Sequence, residues 1–467
     1  MQAPLRASCN WESIINCEGI INNWYCEMIY VKPRYTPKIL CFSGVFTRRK
    51  DGRAAGAPCS RIDVKPEEFH QAMDKETHQT QNGEPVRRGG NQITVRSHNE
   101  RLILDLVRKN GELSKTEAAR MTGLSNNATS VILRALEDEA LLLKGEPIRG
   151  KVGQPSVPMR INPAARTYLA FRIGRRSIEL ALLDFTGQIL ASRRQAVKYP
   201  TPSLVMTFFN EAHIPVLRSA KVRKSDVSGL SVVMPFELWS WTDEFDAPVS
   251  EMMDWKTFDI EHELSQQSPY TVAIENDGTA ACRAELMFGK HQNKSDWIYF
   301  YVGTFIGGGV VLDQKLFAGK RGNAGGFGPM RVPEQNGKDR LVDHASLVVL
   351  EKALASADKK HVLLEDDESD WSGLEPEVST WIDRAARSLA HAIVSSLSII
   401  DFEGVVIDGS FPAEVKTTLV DAVKTNLKNI DVQGIDPPYI EAGSIGPSAR
   451  LLGAAALQID LAFPPAP

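Results

Sequence analysis

The apolar positions change period along the chain. From His98 to Asn110, Leu102, Ile103, Leu106 and Val107 fall on one helical face, and Gly111 supplies a C-terminal stop. Ser114-Lys-Thr-Glu117 is a capping box, in which the Ser and Glu satisfy each other's backbone donors, and it predicts a second helix through Met121. Gly123 marks a tight turn. Ser125 then caps a third helix, with Ala128, Val131, Ile132, Ala135 and Leu136 expected inward. Leu141 to Lys144 and Val157 to Ile161 read as two strands around a turn-rich, basic segment. Three helices with a glycine between the second and third, followed by a hairpin, predict a winged helix-turn-helix over residues 96–162.

After Thr167 the pattern becomes α/β. Strands are predicted over 168–173, 177–184 and 188–192, a helix over 202–219, and a strand over 229–234. A buried strand Val272-Ala-Ile-Glu275 runs into Asn276-Asp277 and a helix over 278–288. A glycine-hinged strand pair covers 298–303 and 309–312. A long buried helix carries Trp381, Ile382, Ala385, Leu389, Ile393, Leu397 and Ile400. A strand over 405–407 and a helix over 447–460 close the chain.

Residues 1–72 show no sustained period and read as a poorly structured extension, either a non-native start or a lineage-specific tail. Residues 73–95 read as a polar arm. Five of the six cysteines lie in the first 59 residues, with no Cys-x-x-Cys pair and no histidine at ligand spacing, so neither a zinc module nor a disulfide framework is expected. The longest uncharged apolar stretch, 297–312, carries four glycines and is shorter than the ~20 residues of a membrane span. With no basic patch ahead of an apolar run, there is no sign of a secretory signal. A cytoplasmic protein is expected.

The net charge of −4 gives no global attraction to nucleic acid, so any such site must be local. Lys144 to Arg160 supplies one: four basic residues against Glu146. The third helix carries Ser125, Asn126, Asn127, Thr129, Ser130 and Arg134, side chains of the types that reach base edges and phosphates, and the hairpin adds Arg149, Lys151 and Gln154. The alternatives are a small helical unit that binds nothing and a winged helix that binds protein.

Three further segments carry chemistry. Glu275-Asn276-Asp277 at a strand end could act on, or accept hydrogen bonds from, a sugar hydroxyl, or merely cap a helix. Gly303-Thr-Phe-Ile-Gly-Gly-Gly309 could cradle phosphate through its amides or be a flexible hairpin. Gly322-Asn-Ala-Gly-Gly-Phe-Gly-Pro329 is a glycine-dense loop.

In their order and spacing these segments resemble the ROK family of repressors and sugar kinases, over about residues 96–460. Asn276-Asp277-Gly-Thr-Ala-Ala281 and Glu285-Leu-Met-Phe-Gly289 match its strand end and the helix after it. Residues 303–309 match Gly-Thr-Gly-Ile-Gly-Gly-Gly with Phe305 replacing a glycine. Residues 322–329 match Gly-x-Ala-Gly-Glu-x-Gly-His, and Gly153-Gln-Pro155 resembles the family's wing motif. The resemblance implies a two-lobed actin-like ATPase domain of ribonuclease H-like type over 166–462, with Asn276, Asp277, Thr304 and Gly307 as ligand contacts and Asp277 in the place of the catalytic base. It also exposes departures. The family's Asp-x-Gly-Gly-Thr phosphate loop is Arg172-Ile-Gly-Arg-Arg176 here. Its two sugar-holding glutamates fall at Gly326 and Val342, its zinc-binding histidine at Pro329, and its cysteine cluster is missing between Met330 and Ala345. Trp255 borders the family's sugar cleft, either stacking on a ligand or sitting in the core.

Phosphoryl transfer depends on groups that neutralise phosphate charge, whereas a regulator needs only differential binding between two states. The expectation is therefore a DNA-binding transcriptional regulator, a homodimer or higher homo-oligomer that represses carbohydrate-related genes under control of a sugar or sugar derivative, without catalytic residues, metal or cofactor. An ATP-dependent sugar kinase with an accessory winged helix is the alternative, and a scaffold that has lost its ligand is a third reading.

Overall fold

The computed structural model describes residues 98–147, 157–240, 247–291, 294–335, 337–359, 364 and 370–464, with the backbone alone of residues 88–97 and of short strands before residue 57. Those strands fall within the extension. Ile14–Ile21, Trp24–Val31 and Lys38–Phe42 pair antiparallel in that order. Their β-branched and aromatic content favours strands without a clean alternation, which a search for period alone misses.

Helix α1 (Arg88–Asn110) begins inside the expected polar arm. It is followed by β1 (Glu112–Leu113), α2 (Lys115–Thr122), α3 (Asn126–Asp138), β2 (Leu142–Lys144) and β3 (Met159–Ile161). The local devices are those the sequence predicts. Ser114 Oγ accepts from the Glu117 N–H while Glu117 accepts from the Ser114 N–H at 2.9 Å, and Gly123 takes a left-handed φ of 72° between α2 and α3. β3 pairs antiparallel with both β1 and β2, making the three-stranded base of a winged helix.

Two lobes follow, and each repeats one topology. In the first, β4 (Thr167–Ile173), β5 (Ser177–Asp184) and β6 (Ile189–Ala196) form an antiparallel meander. Helix α4 (Pro202–Ser219) crosses to β7 (Val227–Met234), parallel to β4, and α5 (Ile260–Gln267) crosses to β8 (Val272–Asn276), parallel to β7. Helix α6 (Asp277–Phe288) leads to the second lobe.

There β9 (Trp297–Val302), β10 (Ile306–Leu312) and β11 (Lys315–Leu316) form the meander, followed by the hairpin β12 (Arg331–Gln335) and β13 (Lys338–Arg340). Helices α7 (Leu347–Ser356) and α8 (Glu377–Leu397) precede β14 (Gly404–Gly409), and α9 (Ala413–Leu427) precedes β15 (Tyr439–Ala442), both strands parallel. Counted in chain order within each sheet, both lobes read third, second, first, fourth, fifth. This is the duplicated architecture of the actin-like ATPase fold.

Helix α10 (Ala449–Ala462) returns to the first lobe, where Gln458 Nε2 donates to the Leu230 carbonyl and Ser231 Oγ. One apolar cluster runs from α1 (Ile103, Leu104, Val107) and α3 (Ile132, Leu136) into Tyr168, Leu183 and Phe185 of the first lobe and Ala454 and Ile459 of α10. Arg108 reinforces the seam. Its guanidinium lies 5.0 Å from the Phe185 ring centroid and 5.3 Å from that of Phe288, and donates to the Phe185 carbonyl. Burial, partly offset by nearby acids, lowers its pKa to about 10. The winged helix is thus seated on the first lobe by a shared core.

Candidate functional site

Helix α3 presents one polar face. Ser125 Oγ caps it by accepting from the Ala128 N–H at 3.2 Å. Asn126, Asn127 and Arg134 are exposed and Ser130 half-buried, its hydroxyl bonded back to the Asn126 carbonyl. Two residues differ from expectation. Thr129 is fully buried, with Oγ1 donating to the Ser125 carbonyl, so it faces the core rather than solvent. Val131, expected inward, is 70% exposed beside Asn127, Ser130 and Arg134, while Leu133 takes the inward place. The helical period advances about 100° per residue, and Thr129 and Leu133, four apart, share the buried side. Arg149, Lys151 and Gln154 lie outside the described residues.

The second feature is a cleft between the lobes, of about 360 Å³. The first lobe contributes Arg175, Glu237, Asn276 and Asp277; the second contributes Tyr301, Phe305, Gly307, Arg321 and Asn323. Asn276 is both strand end and helix cap: its Oδ1 accepts from the Gly278 and Thr279 amides, which fixes Asp277 at the first turn of α6. Asp277 Oδ2 lies 3.7 Å from Arg450 Nη1. Thr304, the fourth expected contact, is buried and does not line the cleft.

The glycine run is mostly strand, not a phosphate-cradling turn: Gly307, Gly308 and Gly309 pair with Tyr301, Phe300 and Tyr299. Their small size has a steric cause. A Cβ on Gly308 would stand 1.8 Å from the Tyr299 carbonyl oxygen, and one on Gly278 would stand 2.7 Å from the Gly308 nitrogen. Glycines on both sides let the start of α6 lie against β10.

The departures identified in the sequence gather here. Gly326, Pro329 and Val342 all line the cleft. Arg172, at the position of the kinase acid, is buried, with Nη2 donating to Ser177 Oγ at 2.7 Å and Nε 3.4 Å from Glu179. Arg175 and Phe305 replace two family glycines, and they touch each other: the guanidinium carbon sits 4.3 Å from the ring centroid. Trp255 takes the core position, its indole N–H donating to the Pro200 carbonyl at 2.6 Å and its ring set edge-on against Phe258. It also borders a neighbouring cavity with Phe236 and Trp239.

A chain of ion pairs, largely buried from Glu275 to Arg101 and exposed at its Asp105 end, joins the cleft to α1, and sequence reasoning missed it. Glu275, next to Asn276, accepts two hydrogen bonds from Arg283 at 2.9 and 2.5 Å. Arg283 Nη1 donates to Asp460, whose other oxygen lies 2.8 Å from Arg101 Nη2. Arg101 also bonds Asp105 at 2.6 Å and the Phe463 carbonyl. Burial pulls the Arg283 pKa down, but the bonds and charges of Glu275 and Asp460 more than reverse this, keeping the guanidinium charged. The sequence signal was a set of charges inside elements with otherwise apolar faces, Glu275 in strand β8 and Arg101, Arg283 and Asp460 in helices.

On its other side, α6 reaches the second lobe. Glu285 is fully buried and accepts from the Ser444 N–H and hydroxyl and the Ile445 N–H. Burial raises its pKa despite those donors. Among the described residues, no helix is long and apolar enough to cross a membrane.

Comparison with known proteins agrees with this architecture. Residues 96–139 match the model of a winged helix-turn-helix DNA-binding domain. The chain is 25% identical over 380 residues to the uncharacterized protein y4fQ of Sinorhizobium fredii, covering 79% of this chain and 92% of that protein. It is 24% identical over 309 residues to a xylose repressor of Caldicellulosiruptor bescii, covering 64% and 75%. A crystal structure of a ROK family transcriptional regulator, a homologue of the Escherichia coli MLC protein, aligns with a TM-score of 0.56 at 19% identity, covering 79% and 97%, and shows the same fold. The ROK family model itself matches residues 168–460, the whole two-lobed region, and the chain belongs to the ROK family.

Proposed function

We propose that this protein is a DNA-binding transcriptional repressor whose affinity for its operator is set by a sugar-type effector in the interlobe cleft. The observation that carries the reading is the ion-pair chain from Glu275, beside the cleft residues Asn276 and Asp277, to Arg101 and Asp105 in the DNA-binding unit. A ligand that favours one lobe arrangement acts on β8 and α6, and the buried charges pass that displacement to α1. The xylose repressor among its relatives supports a sugar signal and a repressing role.

The kinase reading is less well supported. Catalysis needs a phosphate loop, and its acid position holds Arg172, already paired with Glu179. The chain works as a homodimer whose two α3 helices read half-sites of a pseudo-palindrome. Asn126, Asn127 and Ser130 face base edges. Arg134, Arg149, Lys151 and Gln154 contact phosphates or the adjacent minor groove.

Fluorescence anisotropy on an operator selected from a random duplex pool tests this. Lys151→Ala should weaken binding to all sequences and lower the salt slope by about one unit. Asn127→Ala should relax preference at one or two base pairs, at about 1–3 kcal/mol each. No effect from either variant would refute the DNA-contact assignment. ATP turnover that depends on sugar and on Asp277 would instead establish the kinase.

A further inference from the structure

The cleft has exchanged the polarity of its ligand-facing groups. Where the family pattern places two glutamates, the lining is Gly326 and Val342. Where it places two glycines, Arg175 and Phe305 meet face to face across the lobes, and Arg175 is itself nine-tenths buried. Arg175 is laid along the Phe305 ring at the cleft wall, and its neighbours Arg172 and Arg176 lie 3.4 Å from Glu179 and 3.8 Å from Glu351. A second arginine, the exposed Arg321, lines the cleft from the opposite lobe.

Among the described residues, the acids that line the cleft are Asp277, facing Arg450 at 3.7 Å, and Glu237, an exposed residue at the rim. A neutral sugar is held by carboxylates that accept from its hydroxyls. Planar guanidinium groups have no acceptor and suit a carboxylate or phosphate, to which they donate in pairs. The Phe305 ring holds the Arg175 side chain in place before a ligand arrives, so less ordering is needed on binding.

We propose that the effector is a sugar derivative bearing an anionic group, a carboxylate or a phosphate, held between Arg175 of the first lobe and Arg321 of the second. The inference rests on the repressor reading and specifies the ligand of that cleft. Because the two arginines come from different lobes, an anion bridging them favours the closed arrangement, which ties ligand charge to the conformational signal.

The test uses the full chain and a panel of glucose, galactose, mannose and xylose, each as free sugar, and the hexoses also as uronic acids and 6-phosphates, with inorganic phosphate alongside. Melting-temperature shifts report binding to the native state, and anisotropy reports release of the selected operator. At least one anionic sugar should bind about tenfold or more tightly than its neutral parent. Arg175→Gln and Arg321→Gln should each weaken that ligand by about tenfold or more, with Lys at either position restoring part of the loss. The uronic acid and phosphate arms separate the two sources of charge.

Equal binding of neutral and anionic sugars, unchanged anion affinity in both glutamine variants, or no shift from any anionic sugar would overturn the proposal. So would a shift from inorganic phosphate as large as that from the sugar phosphates. A neutral sugar that releases the operator would overturn it while leaving the repressor standing. A wild-type chain that selects no operator would remove the repressor reading itself.

Discussion

Asp460 stands between two arginines, and removing its charge without its shape isolates the coupling between sensor and DNA-binding unit. In Asp460→Asn the amide keeps the volume while Arg101 and Arg283, with side chains 9% and 13% exposed, lose a shared counter-charge. At an effective dielectric of about 20, one ion pair at contact is worth about 4 kcal/mol. Two pairs are touched here, but Arg101 keeps Asp105 and Arg283 keeps Glu275. The net loss should therefore sit near 3 kcal/mol, within the range for breaking a buried pair. The sharper measure is a double-mutant cycle by urea unfolding with Arg101→Met, which should return a coupling of about 1–3 kcal/mol. The signalling half of the claim is read separately: operator affinity should respond less to effector in Asp460→Asn than in wild type. By linkage, effector affinity should respond less to DNA by the same factor. A coupling energy below about 0.5 kcal/mol, or an undiminished effector response, would show that the ion-pair chain carries no signal.

Val131→Ala should leave folding stability within about 0.5 kcal/mol, since the side chain is 70% exposed, yet change operator preference if the methyls meet a thymine; selection from a random pool on both proteins reads this. His213, stacked on Phe209 and bonded to Tyr270 at 2.9 Å, has its pKa lowered to about 4, chiefly by burial and secondarily by Lys224. Its folded value lies below the unfolded value of about 6.5, so its contribution is complete above that pH and falls away between about 6.5 and 4, by up to about 3 kcal/mol. Urea unfolding across that range should show a shallower acid loss in His213→Gln. Gly453→Ala places a Cβ 1.9 Å from the Ala280 carbonyl oxygen and should cost at least the 1–3 kcal/mol typical of overpacking, seen as a lowered urea midpoint.

Local signals were legible wherever one residue type has one job. The capping box at Ser114, the left-handed Gly123 and the Asn276 cap stand where the sequence puts them, and helix Pro202–Ser219 matches its predicted span. Period failed on α3, because a recognition helix needs an exposed face that can include an apolar residue. Val131 then looks like core, and Thr129 looks like surface until its hydroxyl bonds back to the helix. Glycine density misled for a related reason. Flexibility and close packing demand the same residue, and only the facing Gly278 shows that packing is the cause. Much of the cleft was legible through the departures at 175, 305, 326, 329 and 342. What was not legible was that Arg175 touches Phe305, or that Arg101 reaches Asp460, because those partners lie far apart in sequence.

Helix α6 begins at the cleft with Asp277, sends Arg283 toward Asp460 and Arg101, and buries Glu285 in the loop at Ser444. For the genetics of such a protein this makes twelve consecutive residues a shared target. Selection for alleles that never respond to inducer, and selection for alleles that never repress, should both return substitutions in this one segment. Lesions in the DNA-reading face or on the cleft rim should sort cleanly into one class or the other.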